Sequence, residues 1–216
     1  FISNAAHQLR NPIAAIQSLA EVAQDAPNLD EAKRRNAELL AASRSLARLT
    51  EQLLSYERLR DRPVKKQTQH FDRFIADILS GIADKVMEAG VELSFSGRCA
   101  KTSIDIDPVL MEQALLNIID NALAHGGDTL NTITVTTRKD AKFLYVSVCN
   151  DGMAIPTSSR QHLFERFEQG HMHQGTDRSG TGLGLAIVKE ICSLHDATIT
   201  LTSSKAKTCF HIRFLR

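Results

Sequence analysis

Two stripes of apolar residues near the start of the chain restrict its fold more than any other feature. Their members are Leu9, Ile13, Ile16, Ala20 and Ala23 in the first stripe, and Leu39, Ala42, Leu46, Leu49, Leu53 and Tyr56 in the second. Steps of three and four residues place each stripe on one face of an α-helix. A break at residues 25–28 separates them, and Asn28 with Glu31 resembles a capping box that begins the second helix. The sequence therefore predicts a helical hairpin.

The second helix carries a further apolar row, Leu40, Ala47 and Leu54, beside its stripe. Two adjoining rows on one helix are typical of a four-helix bundle. A hairpin supplies only two helices, so we expect the bundle to be a homodimer. The alternative is that the hairpin packs on the rest of the chain.

His7 stands near the start of the first helix, at the head of the stretch HQLRNP. At about 100° per residue, it lies roughly opposite Ile16 and is expected to face solvent, with Asn11 on the same face. Pro12 leaves the carbonyl of Gln8 without its helical partner and is expected to bend the helix just after His7. Taken alone, an exposed histidine is most simply a solvated side chain, so its meaning depends on the rest of the sequence.

A polar, charged segment that contains Pro63 follows the second helix and is typical of a linker. Near His70 the composition changes, and stretches with helical and strand periodicity follow one another to the end of the chain. The sequence therefore predicts an α+β protein with a helical hairpin at 1–62, a linker at 63–69 and a second domain at 70–216.

Composition narrows the possible functions. Of the 216 residues, 43% are hydrophobic and 24% charged, as in soluble globular domains, and the net charge of +1 gives no reason to expect nucleic acid.

The cysteines are Cys99, Cys149, Cys192 and Cys209. They form no CxxC pair, so we expect buried thiols in a reducing cytosol. No apolar run approaches the roughly 18 residues of a membrane span. Since the chain begins with Phe1 inside a helical pattern, we interpret it as a fragment of a longer protein.

Asp107 followed by Pro108 predicts the start of a helix, with an N-cap and a proline in the first turn. This helix carries Asn117 and Asn121 four residues apart on one face, with Asp120 beside them. Asparagine is mildly unfavourable inside a helix, whereas its amide oxygen is a hard ligand that suits Mg²⁺. Two solvated asparagines are the simpler alternative for this helix taken alone.

Three glycines at alternate positions, Gly180, Gly182 and Gly184, separate a polar loop at Glu168–Ser179 from an apolar helical segment. Glycine lets a backbone approach a ligand closely, and the N–H groups at the start of a helix favour phosphate. A Rossmann-type dinucleotide motif does not fit, because no strand closely precedes Gly180.

Together these blocks resemble the cytoplasmic core of a bacterial sensor histidine kinase, over nearly the whole chain. His7–Pro12 is similar to the phosphoacceptor box of that family, and Leu116–Ala122 to its asparagine box. Asn150–Pro156 resembles the first glycine box, Phe164–Phe167 the phenylalanine box and Ser179–Leu185 the second glycine box. The acceptor box with glutamine and the stretch NALAHGG are most similar to kinases of the tricarballylate-sensing type.

The resemblance implies that the second domain is an α/β sandwich of the gyrase–Hsp90–histidine kinase ATPase type. It implies that His7 attacks the γ-phosphoryl group of ATP and that an aspartate of a response regulator then receives the phosphate. Asn121 would hold Mg²⁺, assisted by Asn117, and the Glu168–Ser179 loop would be a lid from which Arg178 reaches the phosphates. The protein would be the cytoplasmic portion of a bacterial sensor anchored in the inner membrane through segments missing before Phe1.

The site residues that the resemblance implies are His7, Gln8 and Asn11 for the phosphoacceptor, and Asn117, Asn121, Asn150, Asp151, Gly152, Arg178, Gly180, Thr181, Gly182, Leu183 and Gly184 for ATP. Three departures from the family pattern stand out. Gln8 replaces the usual acidic residue after the acceptor, and Ala124 replaces a lysine or arginine. In the first glycine box, Asn150 and Ala154 stand where the family has aspartate and its second glycine.

Two alternatives to an active kinase follow from these residues. The departures are compatible with a degenerate module that binds nucleotide and dimerises without kinase activity. A plain ATPase of the same fold is the other alternative, but such ATPases carry a glutamate base at the position of Asn117. An amide cannot take a proton from water, which favours transfer to His7 over hydrolysis.

Overall fold

The computed structural model describes residues 2–24, 28–168 and 181–216. The helices are α1 (Ile2–Gln24), α2 (Leu29–Asp61), α3 (Phe71–Glu88), α4 (Pro108–His125), α5 (Thr157–Arg160) and α6 (Gly184–Leu194). The strands are β1 (Gln67–His70), β2 (Glu92–Ser96), β3 (Ser103–Ile106), β4 (Thr132–Lys139), β5 (Phe143–Asn150), β6 (Ala197–Ser203) and β7 (Thr208–Leu215). A helical hairpin followed by an α/β domain is therefore confirmed.

The N-terminus of α2 forms as its sequence predicts. The side-chain oxygen of Asn28 accepts a hydrogen bond of 2.9 Å from the backbone N–H of Glu31. The Glu31 carboxylate also binds the guanidinium groups of Arg34 and Arg35, which lowers its pKa to about 2. A capped first turn with acidic residues is the arrangement that a helix N-terminus favours.

The apolar surface of α2 divides into two parts. Near the end of the helix, Leu49, Leu53, Tyr56 and Leu59 are buried in a hydrophobic cluster that also contains residues of the second domain. In contrast, the side chains of Leu40 and Leu54 are 51% and 53% exposed, and Ile13 and Val22 of α1 are also exposed. The alternative in which the hairpin packs on the rest of the chain therefore holds for the last turns of α2.

The second domain is built on a five-stranded sheet with the order β2-β4-β5-β7-β6. The β2–β4 pair is parallel and the other pairs are antiparallel, while β1 and β3 form a separate two-stranded ribbon. The large apolar side chains buried in the three central strands are Ile133, Val135, Leu144, Val146, Val148, Phe210, Ile212 and Phe214. Together with the apolar faces of α3, α4 and α6 they form the core, which gives the two-layer arrangement typical of an α/β sandwich.

Part of the predicted linker forms a strand. Residues 67–69, which the sequence assigns to the linker, belong to β1, where Gln67 pairs with Ile106 and His70 with Ser103. β1 is a polar edge strand, so its sequence lacks the alternating apolar residues that indicate a strand. Within the described ranges, no helix is long and apolar enough to cross a membrane.

The expectation of free thiols is wrong for two of the four cysteines. Cys149 of β5 and Cys209 of β7 form a disulfide, with Cα atoms 4.0 Å apart and a sequence separation of 60. Cys99 and Cys192 are free and buried. The bond forms because the antiparallel register of β5 and β7 sets these two residues directly opposite each other.

Asp107 and His195 join the segment after α2, the start of α4 and the end of α6 in a buried contact. The Asp107 carboxylate accepts hydrogen bonds from the N–H groups of Lys65, Val109 and Leu110, and lies 3.5 Å from Arg62. Burial alone would raise its pKa, but these hydrogen bonds outweigh burial and the pKa is lowered. The backbone N–H of Asp107 donates to His195 Nε2 at 2.9 Å.

His195 is therefore held as a neutral imidazole. Its Nε2 accepts the Asp107 N–H, so its Nδ1 carries the proton and donates to the Ile191 carbonyl at 2.7 Å. Burial lowers the pKa of His195, and the hydrogen bond to the carbonyl of Ile191 only partly opposes this effect. The imidazole thus links the start of α4 to the end of α6 only while it is uncharged.

We expect the free energy of unfolding to fall between pH 7 and pH 5, because acid protonates His195, which the fold holds as a neutral imidazole. The unfolded chain has a histidine pKa of about 6.5, whereas the folded pKa is lower, so the unfolded state binds more protons as the pH falls. Urea unfolding at both pH values should show a smaller acid loss for His195→Gln than for the parent. As a control, His162→Gln should not reduce the loss, since Glu165 raises the pKa of the exposed His162.

Candidate functional site

The apolar inner face of the sheet has a polar residue, Asn150, at the end of β5. Along β5, Leu144, Val146 and Val148 point into the core, and the period of two puts Asn150 on the same face at the end of the strand. Asn150 is only 6% exposed. A buried amide at the edge of an apolar face is available to a ligand that reaches this end of the sheet.

Asp151 has a structural role at the same edge. Its Oδ1 accepts hydrogen bonds of 2.9 Å from the backbone N–H groups of Asn131 and Thr132, where β4 begins. Burial would raise the pKa of Asp151, but these hydrogen bonds prevail and the pKa is lowered. The carboxylate is thus committed to the backbone, which favours Asn150 over Asp151 as the residue that faces the site.

The turn after β5 packs against the end of α4. A Cβ atom on Gly152 would lie 2.6 Å from the Cα and the carbonyl oxygen of Gly126, and the Met153 N–H donates to that carbonyl at 2.9 Å. Sequence reasoning did not single out Gly126, although two adjacent glycines after a helix indicate a close approach. This contact brings the first glycine box to α4, the helix that carries both asparagines.

The second half of the same loop is fixed to the β6–β7 hairpin. The N–H of Ile155 donates to Ser203 Oγ at 2.9 Å, and Thr208 Oγ1 donates to the Met153 carbonyl at 3.5 Å. The two hydroxyl groups lie 2.7 Å from each other. Ser203 and Thr208 are further site residues that the sequence alone did not reveal, because they act through a loop distant in sequence.

Asn117 faces the N-terminus of α6. Its Oδ1 would lie 3.7 Å from a Cβ atom placed on Gly184, the first residue of that helix. Its Nδ2 is buried and has no hydrogen-bond partner among the described residues. Buried polar groups in proteins are nearly always paired, so this donor indicates an acceptor supplied by a ligand. Asn121 lies one turn further along α4 and is half-buried.

The first turn of α6 also has unpaired donors. Among the residues that the structure describes, the first N–H with a partner in this turn belongs to Ile187, which donates to the Leu183 carbonyl at 2.9 Å, and no described side chain caps the helix. The N–H groups of the three residues before Ile187 are therefore the unsatisfied donors of a helix start. Such a group of N–H dipoles attracts phosphate.

The second glycine box is anchored on both sides. Gly182 has φ of +70°, its carbonyl accepts from the Phe167 N–H at 2.8 Å, and a Cβ atom on it would lie 2.6 Å from the Phe167 backbone. Leu183 is fully buried. The hydroxyl of Thr181 contacts the side-chain oxygen of Gln52 on α2. Thr181 therefore links the glycine segment to the hairpin.

Further contacts hold the second domain against α2. The guanidinium of Arg166 lies 4.5 Å from the centre of the Tyr56 ring, and the Tyr56 hydroxyl lies 3.3 Å from Glu190. Gln113 of α4 donates to Ser55 at 2.7 Å. These polar groups surround the buried apolar end of α2.

Several predicted site residues lie outside what the structure describes. Arg178 and Gly180 are among them, as is most of the predicted lid, from residue 169 onward. His7 and Gln8 lie within α1, but their side chains are outside the described set. The side chain of Asn11, one turn after His7, is exposed on α1.

Comparison with known proteins identifies both parts of the chain. Residues 106–216 match the family described as histidine kinase-, DNA gyrase B-, and HSP90-like ATPase. Residues 1–62 match the His Kinase A (phospho-acceptor) domain.

The chain is also similar to individual kinases. It is 32% identical to the probable sensor histidine kinase TcrY of Mycobacterium tuberculosis, over 99% of this chain and 45% of TcrY. It is 30% identical to the sensor protein SrrB of Staphylococcus aureus, over 99% of this chain and 37% of SrrB. The chain thus spans less than half the length of either relative.

Solved structures show the same fold at lower identity. The histidine kinase AdeS of Acinetobacter baumannii superposes with a TM-score of 0.73 at 21% identity, over 97% of both chains. The histidine kinase ThkA, solved in complex with the response regulator protein TrrA, gives a TM-score of 0.80 at 19% identity, over 99% of this chain and 60% of ThkA. With a phospho-acceptor domain followed by an ATPase-like domain, the chain belongs to the sensor histidine kinases.

Proposed function

We propose that this chain is a sensor histidine kinase core that transfers the γ-phosphoryl group of ATP to His7 and then to an aspartate of a response regulator. The observation that supports this most directly is the buried Nδ2 of Asn117, which has no partner within the described part of the chain, beside the start of α6, which no described side chain caps. Donors in this arrangement suit the phosphates of a nucleotide. An amide at this position also lacks the basicity needed to activate water, so hydrolysis is disfavoured.

The second domain offers a contact for each part of Mg²⁺-bound ATP: the adenine, the phosphates and the metal ion. At the end of β5, the side-chain oxygen of Asn150 would accept a hydrogen bond from the adenine amino group. The first N–H groups of α6 would bind the phosphates. Asn121, assisted by the amide oxygen of Asn117, would hold Mg²⁺, whose charge offsets that of the phosphates. In the second glycine box, Gly184 leaves open the space between Asn117 and the helix start.

His7 supplies the nucleophile. A neutral imidazole nitrogen attacks the γ-phosphorus, the new N–P bond forms as the bond to the bridging oxygen of ADP breaks, and the ring loses its other proton to solvent. The side chain of Gln8 can orient the ring but cannot accept that proton. Positioning and charge neutralisation provide most of the catalysis of phosphoryl transfer.

A homodimer and a response regulator are the proposed partners. The exposed apolar side chains of Ile13, Val22, Leu40 and Leu54 on the hairpin support pairing with a second copy. The complex of the similar kinase ThkA with a response regulator supports the second partner. Because the chain spans less than half of TcrY and SrrB, we further propose that it is the cytoplasmic portion of a longer, membrane-anchored sensor.

A degenerate module without kinase activity is the second candidate. Gln8, Ala124, Asn150 and Ala154 depart from the family pattern, and the side chain of Ala124 is exposed and offers no charge to a phosphate. Such a module would bind nucleotide and dimerise but would leave no phosphate on His7.

Incubation with γ-labelled ATP and Mg²⁺ separates these functions. We expect acid-labile, base-stable label on the protein, and we expect His7→Ala to lose it completely while ATP affinity is unchanged, since His7 and the candidate ATP site lie in different domains. His70→Ala, which removes an exposed histidine of the second domain, should keep the label. Label that persists on His7→Ala would show that the acceptor is another residue, and ATP binding without label would favour the degenerate module.

Substitution of Gly184 and of Gly182 separates an effect on phosphate binding from an effect on the fold. We call the second glycine box and the first N–H groups of α6 the phosphate cradle. In Gly184→Ala the new Cβ makes only an ordinary contact with Asn117, so we expect an unchanged melting temperature and an ATP affinity lower by about tenfold or more. Gly182→Ala must adopt a positive φ and meets the Phe167 backbone, so we expect a loss of roughly 1–3 kcal/mol in unfolding free energy. Calorimetry and ATP titration measure both effects. Normal ATP binding by a folded Gly184→Ala would contradict the proposed phosphate position.

The adenine contact is tested by Asn150→Asp. A charged acceptor strengthens a hydrogen bond by about 1 kcal/mol, so we expect ATP affinity to rise by a factor of roughly five. GTP affinity should change little, because its ring carries an oxygen where adenine carries the amino group. Asp151→Asn is the matched control and should weaken the start of β4 more than ATP binding. If Asp151→Asn abolishes binding and Asn150→Asp has no effect, Asp151 makes the contact.

A further inference from the structure

The disulfide between Cys149 and Cys209 lies at the last residue pair before the candidate nucleotide site. The β5–β7 register pairs Cys149 with Cys209 and the next residues, Asn150 and Thr208, with each other. The two Cα atoms are 4.0 Å apart, well below the separation of about 7 Å beyond which two cysteines cannot be bridged without backbone movement. The crosslink therefore fixes the two strands beside the residue proposed to contact adenine.

The loop of the first glycine box is attached to both crosslinked strands. It continues from β5 at Asn150, and it is held on the other side by Thr208, which donates to the Met153 carbonyl, and by Ser203, which accepts from Ile155. A change in the spacing of β5 and β7 would move these two attachments relative to each other. The disulfide thus joins β5 and β7, the two strands to which the loop is attached.

The other two thiols are poorly suited to oxidation. Burial raises the pKa of Cys192 to about 12, and burial is also the main cause of the raised pKa of Cys99. Only the thiolate reacts readily, so both groups are inert at neutral pH. Cys149, in contrast, is partly exposed on the outer face of the sheet, while Cys209 is buried beside it. A small oxidant can reach Cys149, and Cys209 is in place to resolve the product.

We propose that Cys149 and Cys209 form a reversible redox site whose disulfide fixes the floor of the nucleotide site and tightens ATP binding. The effect on ATP rests on the proposed function, whereas formation of the disulfide does not.

The chemistry requires a peroxide as oxidant. The Cys149 thiolate attacks hydrogen peroxide to give a sulfenic acid and hydroxide, and the Cys209 thiol then displaces water from that sulfenic acid to form the disulfide. Each sulfur loses one electron overall, and the peroxide takes up both. A dithiol reductant reverses the reaction by two successive thiol–disulfide exchanges, which release both thiols and oxidise the reductant.

Thiol counting tests the site without reference to ATP. The 216-residue chain is treated with hydrogen peroxide or with dithiothreitol, denatured and alkylated. We expect four alkylated cysteines after reduction and two after oxidation, with a Cys149–Cys209 crosslinked peptide. The oxidised chain should melt roughly 5–15 °C higher, because a crosslink across 60 residues restricts the unfolded chain. Four free thiols after peroxide treatment, or a crosslink between other cysteines, would overturn the proposal.

ATP titration of the two redox states tests the coupling. We expect the oxidised chain to bind ATP about threefold to tenfold more tightly, since its site is pre-organised. In the matched variants Cys149→Ser and Cys149→Ser/Cys209→Ser, the affinity should be that of the reduced chain and should not respond to oxidant. Cys192→Ala keeps the pair and should respond as the parent does. Equal affinities in the two states of the parent would overturn the coupling. If neither state binds ATP, the proposed function fails while the thiol count still decides the redox site.

Discussion

The packing of α4 against α6 over the inner face of the sheet is the contact on which both the fold and the candidate site depend. The apolar faces that meet there are Leu115, Ile118, Ile119 and Ala122 of α4, and Ile187, Val188 and Ile191 of α6, all of them buried. The same contact sets Asn117 of α4 beside Gly184, where α6 begins. Burial of these side chains thus supplies the free energy that holds an unpaired amide against an uncapped helix start.

Polar groups at this contact lower the free energy of unfolding of the protein without a ligand. Within residues 2–24, 28–168 and 181–216, Asn117 has a buried donor without a partner, a penalty of about 1–3 kcal/mol, and the first turn of α6 has no side-chain cap, which costs about 1 kcal/mol more. A ligand with phosphate oxygens would satisfy both groups at once. The features that weaken the fold locally are therefore those that favour nucleotide binding, and apolar packing on either side tolerates them.

The sequence predicted the elements of this site because each is marked by local chemistry. Asp107–Pro108 indicates a helix start, and alternating glycines before an apolar helix indicate a phosphate cradle. The Cys149–Cys209 bond could not be predicted, since it depends on the register of two strands that are 60 residues apart. Burial of Leu49 and Tyr56 was ambiguous for another reason: an apolar stripe shows that a helix face is covered but not by what.

The contacts of α2 connect the hairpin directly to the second glycine box. Thr181 binds Gln52, and Leu9 of α1 packs against the hydrophobic cluster that contains Leu49 and Leu53. His7, the proposed acceptor, lies two residues before Leu9 and so within one helical turn of a residue that packs against this cluster. Both apolar and polar contacts hold the second domain here: Leu49 and Leu53 are buried in the shared hydrophobic cluster, and the Tyr56 hydroxyl lies beside Glu190. Leu183 is fully buried and Gly182 has a φ of +70°, so packing within the second domain sets the path of the second glycine box, while Thr181 joins this segment to α2.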